Sequence, residues 1–307
     1  MRPTLRQLQY LVAIADTGHF GDAAKRVNVS QPSLSAQIAT MEAELGVTLI
    51  ERGRHGAILA PKGHEVVRRA RLVLRDVEDL KAAAKHQPDH LTGRLRIGVL
   101  PTIGPYLLPP VGRRLHTSNP DLRFSVKEER AADLEIHLHE GLFDLVISTA
   151  EDHTDCRSRH LFEDQLWICI APNDPLTRSR GLVELSDLKG RELLSLGYWN
   201  WQSLDLKVHA IAKASGAYVS SEYEGSTLDA ARVMAEMGAG IAILPSLYAL
   251  IEVRRDPQMI IRRINDPLAT RQISLIWRDT SPLDDSYMAL AEVFQEIATD
   301  ILAMGKS

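Results

Sequence analysis

Residues 23–52 read AAKRVNVSQPSLSAQIATMEAELGVTLIER, and this stretch decides the fold of the front of the chain. Ser30 followed by Pro32 is a helix start. The serine hydroxyl accepts from an orphan amide of the first turn, where a proline loses no hydrogen bond. Leu34, Ile38, Met41 and Leu45 recur at steps of four, three and four, which gives a helix over Gln31–Leu45 one apolar stripe. Its other face carries Ser33, Gln37 and Thr40. A merely solvated face usually carries Lys and Glu. Short uncharged groups that donate and accept are suited instead to base edges and phosphates in the major groove of DNA. Upstream, Leu8, Leu11, Val12 and Ala15 share one face of a first helix over 5–17, which Gly18 ends. The small pair Ala23 and Ala24 sits in a second helix at about 21–27. Two short helices, a tight turn and a third helix have the spacing of a helix-turn-helix, a pattern that a three-helix cap on an enzyme would share.

With Ser-Gln-Pro-Ser-Leu-Ser, Gln37-Ile38, Glu42, Leu45-Gly46 and Glu51-Arg52 at fixed spacing, the run from Tyr10 to Glu51 resembles the DNA-binding domain of the LysR family of bacterial regulators. The resemblance implies a winged helix-turn-helix over 1–61 that binds double-stranded DNA. Ser30 and Pro32 would set the start of the reading helix, from which Gln31, Ser33, Ser35 and Gln37 reach the major groove. Residues 52–60 would be the wing. Arg52 and Arg54, with His55 beside them, would then lie on phosphates and supply salt-sensitive, sequence-independent affinity.

Residues 62–87 read as a long charged helix in which Val66, Ala70, Val73, Val77, Leu80 and Ala84 recur at alternating steps of four and three. That 3.5-residue period is a coiled-coil seam, although packing on its own domain would also use such a stripe. In the family this helix is the dimerisation linker. Two paired recognition helices would address a partial inverted repeat. Gln87-Pro88-Asp89-His90 reads as a hinge, placed at 88–91, with the remainder of the chain, 92–307, behind it.

At 307 residues the chain has the length of about two domains. Its net charge of −4 is uneven: residues 1–90 carry a balance of +3 and the rest −7. A mildly basic head on an acidic body fits DNA contact through one end. No apolar run reaches the roughly 18 residues of a membrane span. The first twenty residues lack an apolar signal core, and the two cysteines suggest no disulfide framework. A cytoplasmic location without membrane contact is the expectation.

Beyond the hinge, strand-like segments at 94–100, 122–127, 144–148, 166–171, 192–196, 219–223, 241–244 and 273–277 alternate with helical patterns such as 204–214 and 228–237. The alternation predicts parallel α/β structure. The family's effector domain resembles periplasmic solute-binding proteins. On that analogy two α/β lobes, about 92–163 with 268–307 and about 164–267, enclose a cleft for a small molecule. Pro101, Thr102, Ile103 and Gly104, between a strand and a helix, are expected to offer open backbone amides to an anion. Ser226 and Thr227 precede another helix, where plain capping serves equally well. Thr149 and Pro245, at strand ends, fall on the same rim.

The stretches GRLRIGVLPTIGPYLLP, ELLSL and GAGIAILPSL extend the resemblance to the peroxide-sensing branch of the family. That branch uses two cysteines in the segment matching about 198–211. Here Tyr198, Trp199 and Trp201 stand in that segment and cysteine is absent from it. A thiol–disulfide switch needs two sulfurs, so that switch is excluded there. The aromatics are expected either to pack on the neighbouring lobe or to line the cleft against a partly apolar ligand. A redox regulator using Cys156 or Cys169 is the alternative. No catalytic set, cofactor or metal site is expected. His137 and His139 point to different faces of a helix, and His153-Thr-Asp155-Cys156 reads as a solvated loop. The family commonly assembles dimers into tetramers, and an activator would also touch RNA polymerase.

Overall fold

A computed structural model describes residues 3–53, 56–85, 93–150, 155–178, 181–195, 202–224 and 227–303. They form two compact bodies. One comprises Met1–Gln87 with His139–Leu142 and Ser281–Leu283; the other comprises Pro88–Leu138, Phe143–Thr280 and Asp284–Ser307.

The first body begins with α1 (Leu5–Thr17), whose N-cap Thr4 and Gln7 form a reciprocal capping box. Gly18 ends it in the left-handed conformation, with φ of 69°. α2 (Phe20–Arg26) follows, and Asn28 supplies the left-handed turn residue at φ 57°. α3 (Gln31–Leu45) starts where the sequence places it, with the Ser30 hydroxyl accepting from the Ser33 amide. Leu34, Ile38 and Met41 are buried against Leu8, Leu11, Ile14, Ala23 and Ala24. Leu45 is exposed, because it lies in the last turn before the Gly46 cap and beyond the reach of that core.

A hairpin of β1 (Ile50–Gly53) and β2 (Gly56–Leu59) forms the wing. The Glu42 carboxylate accepts from the amides of Leu49 at 2.7 Å and Ile50 at 3.1 Å, and so fixes the start of that hairpin. α4 (Pro61–Lys85) then docks on the head. At Gly63 an added Cβ would stand 2.1 Å from the Leu49 carbonyl oxygen, so only glycine permits this approach. Val67 and Ala70 are buried in the head's own core. Val73 and Leu80, further along, are 43% and 69% exposed. The predicted seam is therefore divided: Val66 and Ala70 pack within the head, Val77 is half-buried, Val73 and Leu80 are exposed, and the Ala84 side chain lies outside those described.

The second body holds β3 (Gly93–Val99), α5 (Gly104–Ser118), β4 (Leu122–Glu128), α6 (Ala131–His139), β5 (Leu145–Thr149) and the long β6 (Cys156–Ile170). After it come β7 (Glu192–Ser195), α7 (Gln202–Ser215), β8 (Tyr218–Glu224), α8 (Leu228–Glu236), β9 (Ala242–Pro245) and α9 (Ser246–Arg255). β10 (Ile260–Arg263), β11 (Thr270–Arg278) and α10 (Asp284–Ala303) complete it.

Among the described residues β6 belongs to two sheets. Its first part pairs with β11, which continues through β5 and β3 to β4; its last part lies between β9 and β10. β7 and β8 make a separate parallel pair. The sheets are mixed: β3 runs parallel to β4 and β5, as the strand–helix alternation predicts, whereas β11 and β6 are antiparallel to their neighbours. A core of Leu166, Ile168, Ile170, Leu193, Val208, Ile211, Ile243 and Leu244 fills the second lobe.

Candidate functional site

On the first body, Gln31, Pro32, Ser33 and Gln37 are exposed along one side of α3, and Ser35 is half-buried. The stripe that packs inward therefore leaves the hydrogen-bonding residues facing outward. Thr40 differs in detail, since its hydroxyl donates to the Ala36 carbonyl at 3.0 Å. Arg52 lies in β1 opposite Ala57. Arg54 and His55 fall outside the described residues. The wing is braced on the helical head by a 2.7 Å hydrogen bond from the Ala57 amide to the Gly18 carbonyl.

On the second body Thr102 and Pro245 lie beside a buried ion pair. Asp164 on β6 and Arg271 on β11 face each other across the antiparallel ladder, with side chains 1% and 2% exposed. Arg271 Nε donates to Asp164 Oδ2 at 3.1 Å, and Nη2 donates both to that oxygen and, at 3.2 Å, to Thr102 Oγ1. Asp164 Oδ1 accepts from the Ser246 amide at 2.8 Å and from its hydroxyl at 2.6 Å. One carboxylate thus ties together β6, β11, the first turn of α9 and, through Arg271, the turn before α5. Charge buried this deeply is tolerated because every partner is satisfied. Thr149 ends β5 opposite Ile273 of β11, and Pro245 is buried immediately before Ser246.

Two amides of the 101–104 turn are engaged within the chain. Those of Ile103 and Gly104 both donate to the Leu100 carbonyl, at 2.9 and 3.0 Å, and Pro101 has none. The chain makes a tight turn before the helix begins and so uses these two donors internally. Gly104 is crowded by neighbours: an added Cβ would meet Val99 Cγ1 at 2.8 Å and Glu128 Oε1 at 3.1 Å. Burial raises the Glu128 carboxyl above its ordinary range. Thr227 caps α8 by accepting from the Ala230 amide at 3.1 Å. Ser226, like Tyr198, Trp199 and Trp201, lies outside the described residues.

Tyr106 of α5 meets Tyr248 of α9 edge to face at 5.7 Å, and the Tyr248 hydroxyl donates to Asp229 at 2.6 Å. Burial, reinforced by the carboxylates of Glu252 and Asp229, keeps the Tyr106 phenol protonated. Asp164, Arg271, Ser246 and the tyrosine pair were not singled out from the sequence.

Neither cysteine is in a disulfide. They stand near opposite ends of β6, about 40 Å apart at ~3.3 Å per residue, far beyond bonding reach. Burial pushes the Cys156 thiol up to about 11 and the Cys169 thiol up to about 12. Among the described residues no cluster suited to a metal ion is present, and no helix is long and apolar enough to cross a membrane.

Comparison with known proteins agrees with both halves. Residues 5–64 match the family model for the bacterial regulatory helix-turn-helix protein of the lysR family, and residues 88–299 match the LysR substrate binding domain. The DNA-binding transcriptional dual regulator OxyR of Escherichia coli strain K12 is 35% identical over 292 residues, which are 95% of this chain and 94% of that protein. A cysteine-substituted full-length OxyR from Pseudomonas aeruginosa superposes with a TM-score of 0.79 at 28% identity, covering 95% of this chain and 97% of that one. A Corynebacterium glutamicum OxyR cysteine mutant with H2O2 bound gives 0.66 at 28% identity, covering 99% and 95%. Two domain models in tandem over nearly the whole chain leave one conclusion: the protein is a DNA-binding transcription regulator of the LysR family, with a ligand-binding effector domain.

Proposed function

We propose that this regulator is switched by a small hydrogen-bonding molecule at the Thr102–Arg271–Asp164–Ser246 network rather than by a pair of thiols. The carrying observation is the network itself, which joins β6 and β11 to the turn before α5 and to the first turn of α9. Because Asp164 already balances Arg271, the site discriminates by hydrogen bonds more than by net charge. Thr102, Thr149 and Ser246 are the groups we assign to the ligand, with Pro101, Ile103, Gly104, Thr227 and Pro245 shaping the surroundings. Tyr198, Trp199, Trp201 and Ser226 remain candidates from the sequence for the apolar side of that ligand.

The head reads a partial inverted repeat as a dimer, with Gln31, Ser33, Ser35 and Gln37 at base edges and Arg52 and Arg54 on phosphates. We assign the dimer seam to Val66, Val73, Val77, Leu80 and Ala84, and further pairing to a tetramer on the family's pattern. This is a regulator and not an enzyme, it acts in the cytoplasm where the DNA is, and an activating form would also engage RNA polymerase.

The relatives named for hydrogen peroxide respond through their own chemistry. In this chain the two thiols are protonated at neutral pH and too far apart to pair. The test is a thermal-shift screen of the full chain against metabolites and hydrogen peroxide, repeated with Thr102→Val. A ligand held by the network stabilises the fold in proportion to its affinity, so the shift should disappear in the variant. Shifts that survive Thr102→Val but vanish in a Cys156→Ser/Cys169→Ser variant would support the thiol alternative instead.

A further inference from the structure

The outward face of α3 is uncharged. Residues 31–41 carry no Lys, Arg, Asp or Glu, and Pro32, Ala36, Ala39 and Thr40 are all exposed. At about 100° per residue, Ala36 lies opposite the buried stripe of Leu34, Ile38 and Met41, at the crest of the helix. The most prominent line on this surface is therefore apolar, and the hydrogen-bonding Ser33 and Gln37 run along one flank of it. On α4, by contrast, the outward positions include the ion-paired Glu65, Arg69, Glu78 and Lys81.

Thr40 belongs to the apolar line rather than to its polar flank. Its hydroxyl donates to the Ala36 carbonyl at 3.0 Å, one turn back along the helix. With the oxygen committed to the backbone, the γ-methyl occupies a different staggered position and is the group this exposed side chain offers a partner. The same bond holds χ1, so the methyl stays in one place. Ala36 and Thr40 are four positions apart and stack along the helix, as do Ser33 and Gln37 beside them.

We propose that Ala36 and the Thr40 methyl are specificity determinants that read the 5-methyl group of a thymine in the operator half-site. Among the four bases only thymine presents a methyl in the major groove, and the methyls of alanine and threonine suit it. Gln37, on the adjoining row, matches the N6 and N7 edge of adenine, so the two rows together distinguish A·T from the other pairs. The inference rests on the placement of α3 in the groove proposed above, and names what its apolar crest does there.

The test begins with duplexes selected by the full-length protein from a random pool. Each thymine of the selected half-site is replaced in turn by deoxyuridine, which removes the 5-methyl and nothing else. At one thymine binding should weaken roughly fourfold, as expected for one buried methyl group. Ala36→Gly should bind the thymine and deoxyuridine duplexes alike. Thr40→Ser keeps the hydroxyl bond, loses the methyl and should narrow the difference, whereas Thr40→Val keeps the methyl and should preserve it. Each variant is scored by the ratio of two duplexes, so a general weakening of the helix by glycine does not mimic the result. A scan in which no deoxyuridine weakens binding would overturn the proposal. So would a thymine preference that Ala36→Gly and Thr40→Ser both retain. Gln31→Ala separates the two levels when the scan is flat: relaxed sequence preference in that variant removes the methyl reading alone, and a uniform loss removes the groove placement as well.

Discussion

At the scale of single residues, the Asp164–Arg271 pair is the most consequential contact in the second body. Removing one partner leaves the other charge buried and unpaired, at a cost of about 3–5 kcal/mol. Asp164→Asn should therefore lower the denaturation midpoint sharply, whereas Asp164→Leu with Arg271→Met should recover much of the loss while removing the ligand response. A midpoint unchanged in Asp164→Asn would show that the pair is not structural. The cysteines give a pH prediction. With Cys156 pushed up to about 11, roughly one thiol in a thousand is ionised at pH 8. Its alkylation by iodoacetamide, followed by mass spectrometry, should be slow at neutral pH and rise steeply toward pH 11, with Cys169 slower still. Rapid alkylation at pH 7 would contradict this. Thr102 was legible from the sequence because it lies between a strand and a helix. Its partners were not, since Arg271 stands 107 positions from Asp164 and Ser246 stands 82 from it. The available signal was one-sided: Arg271 is the single charge in Arg271–Trp277, whereas Phe162–Leu166 carries both Glu163 and Asp164 and does not distinguish them.

At the scale of elements, the helices of the head were readable because their ends are written in side chains: Ser30 and Pro32 at one end of α3, Gly46 at the other. The docking of α4 was less visible, since it depends on the absence of a side chain at Gly63. Gly63→Ala would drive a methyl into the Leu49 carbonyl and should destabilise the head by about 1–3 kcal/mol. Hydrogen exchange on the full chain should show faster exchange of the Leu49, Ile50 and Ala60 amides, with the second body unaffected; unchanged rates would refute the close approach. Residues 156–165 of β6 and the whole of β10 escaped the sequence reading. Neither shows an apolar alternation: residues 157–160 are all exposed, and Arg262 and Arg263 are adjacent in β10. Arg262 resolves this locally by donating to the carbonyls of Leu176, Gly181 and Leu182. Strand direction was also beyond the sequence pattern, because periodicity reports which face is buried and not which neighbour a strand joins.

At the scale of the whole molecule, a mildly basic head must obtain much of its discrimination from base contacts and from dimeric spacing. Gln31→Ala should cost about 1–3 kcal/mol of specificity, whereas Arg52→Ala should chiefly flatten the salt dependence of binding. Both are read by titrating the operator at several salt concentrations. A uniform loss across all sequences in Gln31→Ala would remove that residue from base reading. The central claim is that DNA binding by this LysR-family head is governed by a ligand at the Thr102–Arg271 network and not by thiol oxidation. DNase I footprinting of the operator tests it most directly, using wild type and the Cys156→Ser/Cys169→Ser variant. Each is examined with and without hydrogen peroxide and with the metabolite that most raises the melting temperature. The predicted result is the same ligand-dependent change of footprint in both proteins. A footprint that peroxide alters in wild type and leaves unaltered in the cysteine-free variant would contradict it.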